Sequence, residues 1–517
     1  MKRLLSLPIL LLCLAYPYLY ATAVQSADVP TQAVATLLES DTVSKSVQGP
    51  NRTRERISYL VRLTRVSADI APTLTEQWCD ELFDLASKSP LGWDRIANQK
   101  NAAVPLAKIN PQKAMELLAR VDLPQPHTIE GNFTEDVRAD AAAVIFPAFA
   151  EKYGLDKIPE IQIHANAIGA TGEYPYRAMA RVMSWLQTSY ANEAHQQLES
   201  IFRDALEHYK RHSQFEDEEE EFFNLLSSAR HSVSPDLYRK ALELYIKQVT
   251  TPTKADGLFA ANVSIAQGTV IRLDDENRQL LWRVFPLLSD FDAEWGQRLV
   301  QEFPELKGAE AGVTPLGSAF ISGHPTKEYA DRKHQQMMDT SLLPRILTLR
   351  EKDRNAAINL ANRLTTLPAR IIGASYVLPV VLDSDPVAAK QMYSQELQDL
   401  QKVTVPVERL QAKTAIAKSA YYLRDAPQVS RLSSQIIDQG TVLFEKDSKR
   451  NRADLHNGYR EMGDMAEFAA AHGLSEVLQK VIALRDPLLK AHLMIFVAKG
   501  LAEAEPNSQV ALGTAQH

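Results

Sequence analysis

Two histidines four residues apart, His208 and His212, would lie on the same face of a helix. Zinc ligands on helices use that spacing. In the metalloprotease pattern, however, a glutamate follows the first histidine, whereas Glu207 precedes it here. Lys210 and Arg211 add positive charge that opposes a dication. We therefore expect a solvated basic helix end, favourable to the helix dipole, with a metal site as the alternative.

Six consecutive carboxylates run from Glu216 to Glu221. Such a run could bind calcium or a basic partner, but the EF-hand spacing of alternate acids around a glycine is missing. Ser213 and Glu216 fit a capping box, and acids in the first turn complement the helix dipole. We expect the solvated start of a helix whose Phe222 and Leu226 face inward.

Acids lie beside an aromatic side chain at Asp290, Asp292, Glu294 and Trp295. Paired carboxylates cleave glycosidic bonds, so these are the ingredients of a carbohydrate site. Adjacent acids are also common at helix starts, because they cap exposed amides. We expect a helix start here, and the carbohydrate site is the alternative.

The segment Gly172–Arg177 displays two tyrosines between helical stretches. A packed turn between helices is the expected structure, and a ligand-contacting loop is the alternative. No nucleophile elbow, phosphate-binding loop, dinucleotide fingerprint or paired-cysteine motif occurs. The sequence therefore predicts no catalytic residue, no cofactor-binding residue and no metal ligand.

Cysteine usage excludes a disulfide framework. Cys13 would leave with the N-terminal segment described below, and Cys79 would remain alone, among apolar neighbours at helical spacing. We expect Cys79 to be a buried, inert thiol.

Three sites match the N-glycosylation sequon, at Asn51, Asn132 and Asn262. Whether they are used depends on the cell.

A recurring phrase indicates how the chain is built: Asp or Asn, then Pro, then an apolar helical stretch. It occurs at Asn110, Asp385 and Asp486, with looser copies at Asp353 and Asp425. The side-chain oxygen can accept a hydrogen bond from an amide of the first turn. Pro has no N–H, and it suits the first helical position because an N–H there would have no partner within the helix. The phrase therefore predicts repeated helix starts.

These starts are spaced by a few tens of residues without a fixed period, which is typical of degenerate helical-hairpin arrays. Glycine accounts for only 20 of the 517 residues, a composition that favours helix over strand. The patterns of tetratricopeptide and ankyrin repeats are missing. We predict an all-α protein of stacked antiparallel helical hairpins, an irregular α-solenoid or superhelix, in two lobes.

The same patterns predict the organisation of the chain. We expect a signal peptide at 1–26, a flexible N-terminal arm at 27–53, an N-terminal helical lobe at 54–303, an irregular linker at 304–330, a C-terminal helical-repeat lobe at 331–503 and a disordered tail at 504–517. The linker assignment depends on its clustered Gly and Pro. The apolar stretch Leu367–Leu382 is the best candidate strand, although helical neighbours favour a buried helix.

The N-terminus has the features of an export signal. Lys2 and Arg3 precede an apolar stretch, and Ala21 and Ala23 form a small-x-small cleavage pattern. Cleavage after Ser26 is a second option, and an uncleaved membrane anchor is the alternative. We expect an exported protein, periplasmic or extracellular, with no further membrane span.

The formal net charge is −7, which disfavours nucleic acid and anionic membrane surfaces as partners. Solenoids expose much surface, and no chemical motif is present, so we expect a non-enzymatic scaffold for an unidentified protein or peptide partner. The alternative is a carbohydrate-active enzyme on an α/α scaffold, using Asp292 or Glu294 with a nearby Trp. A lipid carrier would instead need a large apolar cavity.

Overall fold

Helices dominate the protein, and its fold class is all-α with packed helical hairpins, as predicted. The computed structural model describes residues 29–124, 136–211, 218–251, 257–265, 269–322, 327–451 and 458–504. The predicted signal peptide, nearly all of the predicted tail, His212 and the sequon at Asn132 lie outside these ranges. One three-stranded sheet accompanies the helices of the described residues.

The chain forms two compact units. The terminal unit, as we name it, contains the residues up to Trp78 and those from Val387 on, and the central unit contains Cys79–Pro386. The predicted lobe boundary at 304–330 lies within the central unit. Cys79 is fully buried, as expected.

The helices before the sheet begin with two in the terminal unit. These are α1 (Val29–Lys45) and α2 (Arg52–Ser67). The unit boundary falls within α3 (Pro72–Ser87), and the rest belong to the central unit. They are α4 (Trp93–Ala103), α5 (Leu106–Ile109), α6 (Pro111–Leu118), α7 (Val137–Tyr153), α8 (Ile158–Thr171), α9 (Tyr176–Ser189), α10 (His195–Tyr209), α11 (Glu218–Ala229) and α12 (Pro235–Val249).

The central unit continues with a strand pair, two helices, a third strand and three more helices. These are β1 (Gly257–Ile265), β2 (Val270–Leu273), α13 (Glu276–Phe291), α14 (Ala293–Glu302), β3 (Val313–Ser322), α15 (Lys327–Lys352), α16 (Arg354–Ala361) and α17 (Leu367–Ser384). The terminal unit takes up the chain again near the start of α18. Its helices are α18 (Pro386–Leu400), α19 (Pro406–Tyr422), α20 (Ala426–Asn451), α21 (Tyr459–Ala471), α22 (Ser475–Ile482) and α23 (Pro487–Glu503).

Alternate helices of the central unit pack side by side. Helix α9 lies between α7 and α11, α11 also contacts α13, and α8 contacts α10 in a second layer. The cause is a stripe at three- and four-residue spacing, such as Met179, Met183 and Leu186 on α9, all fully buried. The terminal unit repeats the scheme, since α19 contacts α21 and α21 contacts α23.

The recurring Asp/Asn phrase starts helices by the predicted mechanism. Asn110 accepts a hydrogen bond from the Lys113 amide at the start of α6, and Asp353 does the same for Ala356 at α16. Asp486 accepts from two amides at the start of α23. The capping prediction is confirmed at these three positions.

The expected irregular linker is wrong at residues 313–322, which form β3. This strand pairs antiparallel with β1, and the sheet order is β2-β1-β3. Pro315 and Gly317 made the segment resemble a loop. In the sheet they face the register shift at Asn262 and Val263, and β3 is an edge strand, where proline is tolerated.

The expected flexible arm is also wrong, because α1 is a packed helix of the terminal unit. Leu37 is fully buried, and the Ser40 hydroxyl lies 2.7 Å from both the Tyr59 hydroxyl and the Ala491 carbonyl oxygen. Helix α1 thereby contacts α23, from the far end of the chain. The polar composition of the segment made it resemble a flexible arm, although α1 has a narrow buried stripe. The helix that covers this stripe, α23, is remote in sequence.

The apolar stretch Leu367–Leu382 is helical, as favoured over a strand, and it forms most of α17. Among the described residues, α17 is the one helix long and apolar enough to cross a membrane. It packs on α15 and α16, with Val377 and Leu378 buried. Core helices of soluble proteins have the same length and composition, so this helix is weak evidence for a span.

Replacing Leu37 with alanine should destabilise the protein by about 2–5 kcal/mol, because removing most of a fully buried leucine side chain leaves a cavity. The matched control is Leu38→Ala on the same helix, since Leu38 is 44% exposed. Urea denaturation followed by circular dichroism measures both. Equal midpoints for the two variants would restore the flexible-arm interpretation.

Candidate functional site

The structure packs His208 against other side chains. Its ring stacks on Tyr174 with 4.6 Å between centroids, and its Nε2 lies 3.1 Å from Asn166 Oδ1. Burial lowers the pKa of His208. Within the described residues no group of three or more His, Cys, Asp or Glu side chains could hold a metal ion. His208 thus lies in the last turn of α10, as expected, but it is a half-buried packing residue; the exposed Lys210 and Arg211 follow it.

The acids beside Trp295 start a helix, as expected. Asp292 accepts a hydrogen bond from the Trp295 amide at the start of α14 and forms an ion pair with Arg239 at 2.8 Å. The Trp295 amide, followed by Arg239, holds the pKa of Asp292 below its usual range. Asp290 pairs with Arg230. These contacts account for the two aspartates without a substrate.

Two other segments from the sequence analysis meet around one cavity. The turn Gly172–Arg177 and the start of α11 enclose it together with the start of α7. The volume is about 230 Å³, and charged side chains dominate the lining. We call it the acidic cavity; its charged lining residues are Asp136, Asp140, Glu173, Arg177 and Glu221.

The start of α7 forms the floor of the site. Asp136 caps this helix through the Arg138 amide and binds the Arg138 side chain, with 2.6 Å from Oδ2 to Nη2. The same Oδ2 accepts a hydrogen bond from the Glu173 amide at 3.2 Å, which ties the turn to α7. Only glycine fits at 172, because a Cβ there would lie 1.9 Å from Asp136 Oδ2.

Two further acids of the cavity each have one cation. Asp140 lies 3.0 Å from the Nζ of Lys100, which reaches over from α4. Glu221 of α11 pairs with Arg177 at the start of α9. The first interaction joins α4 to α7 and the second joins α9 to α11, so the charges also help to fix the positions of these helices within each pair.

Glu173 differs from these acids. Only 8% of the residue is exposed, and no described residue forms a hydrogen bond or ion pair with its carboxyl group. Burial, followed by the charges of Glu221 and Asp136, raises the pKa of Glu173 to about 9. The carboxyl group is therefore protonated and neutral at pH 7.

Aromatic packing supports the turn from below. Tyr174 and Tyr176 are buried, and the Tyr176 ring contacts Phe222 edge-on at 5.4 Å between centroids. The Tyr176 hydroxyl donates to Glu218 at 3.1 Å. The packed-turn interpretation is confirmed for both tyrosines, while Glu173 of the same turn faces the cavity.

A wider groove begins where the cavity ends, and Arg177 lines both. It follows α9 between α7 and α11, with a volume of about 710 Å³. We call it the α9 groove; its main lining residues are Pro147, Glu151, Arg177, Arg181, Ser184, Trp185, Asn224, Ser227 and Ser228. The Trp185 ring is held edge-on by Tyr190 at 5.2 Å, and Arg181 donates to the Ala143 carbonyl at 2.7 Å.

Sequence reasoning missed much of this site. The acidic run starts a helix, as expected, but Glu218 and Glu221 are buried rather than solvated. Ser213, Glu216 and Asp217 of the expected capping box and run lie outside the described residues. Glu220 is exposed and pairs with Arg283 at 3.1 Å. Asp136 and Asp140 carried no signal beyond their place at a helix start. The available clue was the spacing: Glu218 and Glu221 lie four positions before the buried Phe222 and Leu225, and therefore on the same face of the helix.

The stability difference between the wild type and Glu173→Gln should depend on pH. A carboxyl whose folded-state pKa is raised to about 9 binds its proton more tightly in the folded state than in the unfolded state. The protonated carboxyl therefore contributes fully to the free energy of unfolding below about pH 4.5, and this contribution is lost as the pH rises to about 9. The Glu173→Gln variant stays neutral. Across that window its free energy of unfolding should rise relative to that of the wild type by at most about 1.4 kcal/mol per pH unit.

Urea denaturation at several pH values measures this difference. The matched control is Glu193→Gln, because Glu193 is exposed in the loop after α9. A parallel pair of profiles for the wild type and Glu173→Gln would mean that Glu173 is solvated in the folded protein.

No protein-family model matches this chain, and no curated protein matches its sequence.

Proposed function

We propose that this protein is an exported, non-enzymatic interaction scaffold that binds an extended peptide segment of a partner protein in the α9 groove. The supporting observation is the groove itself, an open channel along one helix with an aromatic side chain, two arginines and several neutral hydrogen-bonding groups. Peptide sites combine such polar groups with aromatic anchors.

The dimensions of the groove suit a short peptide. Arg177 and Trp185 are eight positions apart on α9, which corresponds to about 12 Å along the helix axis. An extended chain covers that distance in about four residues. Ser184 on the floor and Asn224 on the α11 side offer hydrogen-bonding groups, and Trp185 offers an apolar surface.

The groove is built on packed helices rather than on loops. Its floor is α9, whose inner face is fully buried, and Gln187 of α9 donates to the Ser228 carbonyl of α11. Binding to such a preformed surface requires little ordering of the protein, which favours affinity.

The carbohydrate-active alternative would have to use acids other than Asp292. That residue caps a helix and pairs with Arg239. Acid–base cleavage of a glycoside needs one protonated and one ionised carboxyl on either side of the sugar. The acidic cavity holds a protonated Glu173, but Asp140 and Glu221 are each engaged by a cation. We therefore favour binding.

A random peptide library displayed on phage and selected on the mature protein should yield binders that depend on the groove. Arg181→Ala and Trp185→Ala should each weaken a selected peptide by about tenfold or more, because interface arginines and tryptophans carry much of the binding energy. Fluorescence anisotropy of the labelled peptide measures the affinity.

The matched control is Arg203→Ala. Arg203 is an exposed arginine on α10, in the other helical layer, and makes one long ion pair with Glu199. Its removal should leave the affinity unchanged. Peptides that bind both groove variants as well as the wild type, or a selection that yields none, would count against the proposal.

Export makes a separate prediction. Expression of the complete chain in its native cell type should yield a processed protein whose first residue is Val24 or Ala27, since cleavage is expected after Ala23 or Ser26. Mass spectrometry of the purified protein identifies its N-terminus. Ala23→Leu should block the first cleavage. An N-terminus at Met1 in the cytoplasmic fraction would contradict export.

A further inference from the structure

Charge pairing around the acidic cavity leaves one carboxyl group over. Asp136 has Arg138, Asp140 has Lys100, and Glu221 has Arg177. No described cation lies within ion-pair distance of Glu173. The surroundings of Glu173 thus contain a place for one more positive charge.

Glu173 is only 8% exposed as a residue, its carboxyl group has no hydrogen-bond or ion-pair partner among the described residues, and it lines the cavity. Its oxygens are not enclosed by protein atoms, so they open onto the cavity. A carboxyl group that no described side chain engages can pair with a ligand that enters the cavity, and such a pair is strong where little water competes.

We propose that the acidic cavity binds one organic cation, an alkylammonium or guanidinium group, with Glu173 as its counter-ion. As the terminal group of a Lys or Arg side chain, this cation would anchor the peptide of the proposed function, on which that part of the inference rests. The shared residue Arg177 marks where the peptide would pass from the α9 groove into the cavity.

The size and chemistry of the cavity select this class of ligand. Its volume of about 230 Å³ is below the roughly 300–1,000 Å³ of sites for whole small-molecule ligands, so a single side-chain terminus suits it better. A metal ion does not fit, because no described set of three ligands converges. The pair of Arg177 with Glu221 is an example, within the same lining, of a carboxylate that binds a guanidinium.

Binding should release a proton. The charged groups facing Glu173 are carboxylates from α7 and α11, the Arg177 guanidinium on α9 and the Arg138 guanidinium on α7; these carboxylates are Asp136, Asp140, Glu218 and Glu221. Since burial and these acids raise the pKa of Glu173 to about 9, its carboxyl is protonated at pH 7 before binding. A bound cation favours the ionised form, so the proton leaves to solvent.

Isothermal titration calorimetry of the mature protein with n-butylammonium and, separately, n-propylguanidinium tests the inference. Titrations in phosphate and in MOPS at pH 7 give the number of protons released, because the two buffers differ in ionisation enthalpy and neither is a primary ammonium that would compete with the probes. We expect one cation per protein and about one proton released. The affinity should rise by up to about tenfold per pH unit between pH 6 and pH 9 and then level off.

Glu173→Gln should abolish proton release and weaken binding by about tenfold or more, because the counter-ion is lost. Glu193→Gln serves as the control and should bind as the wild type does. Circular dichroism checks that both variants are folded. The proton count on the wild type does not depend on any variant.

Absence of binding by both cations, or binding that releases no proton and survives Glu173→Gln, would overturn the inference. Either result would make Glu173 a neutral structural residue. Neither would touch the proposed function, because selected peptides could still occupy the α9 groove. Conversely, cation binding with proton release would stand even if no peptide were selected. The relative strength of the two probes separates a lysine-like from an arginine-like ligand.

Discussion

The burial of one narrow apolar stripe per helix, between two alternate neighbours, is the constraint on which the central unit depends. Helix α9 buries Met179, Met183 and Leu186 in this way between α7 and α11. Because the intervening helices return the chain, α7, α9 and α11 all begin at the same edge of their layer. The acidic cavity lies at that edge, since residues from all three helix starts line it.

Helix starts attract acids for local reasons, and stacking brings these acids together. Asp136 caps α7, and Glu218 and Glu221 lie in the first turn of α11, where carboxylates complement the helix dipole. Each acid stabilises the helix at whose start it lies. Where the helix starts lie side by side, however, the negative charges of these acids repel each other. Arg138, Lys100 and Arg177 offset the repulsion at three acids. Glu173 comes from the turn rather than from a helix start, and no described cation forms an ion pair with it.

Local features of the fold could be predicted from the sequence, whereas remote contacts could not. The capping roles of Asn110, Asp353 and Asp486 follow from residues three positions apart or fewer. Strand β3 was missed because its partner β1 lies about fifty residues earlier, and α1 because its partner α23 lies at the other end of the chain. The same limit applies to the site. The burial of Glu221 depends on Arg177, which no local pattern connects to it.

Arg177 links the cavity to the groove in an energetic sense as well. Its guanidinium neutralises Glu221 while about half of its side chain remains exposed to the groove. A peptide carboxylate or carbonyl that binds the exposed face of Arg177 would weaken the ion pair between Arg177 and Glu221. The negative charge around Glu173 would then increase. The cavity would then favour a cation more strongly. Occupancy of the groove and of the cavity should therefore reinforce each other, since the two sites share one charged side chain.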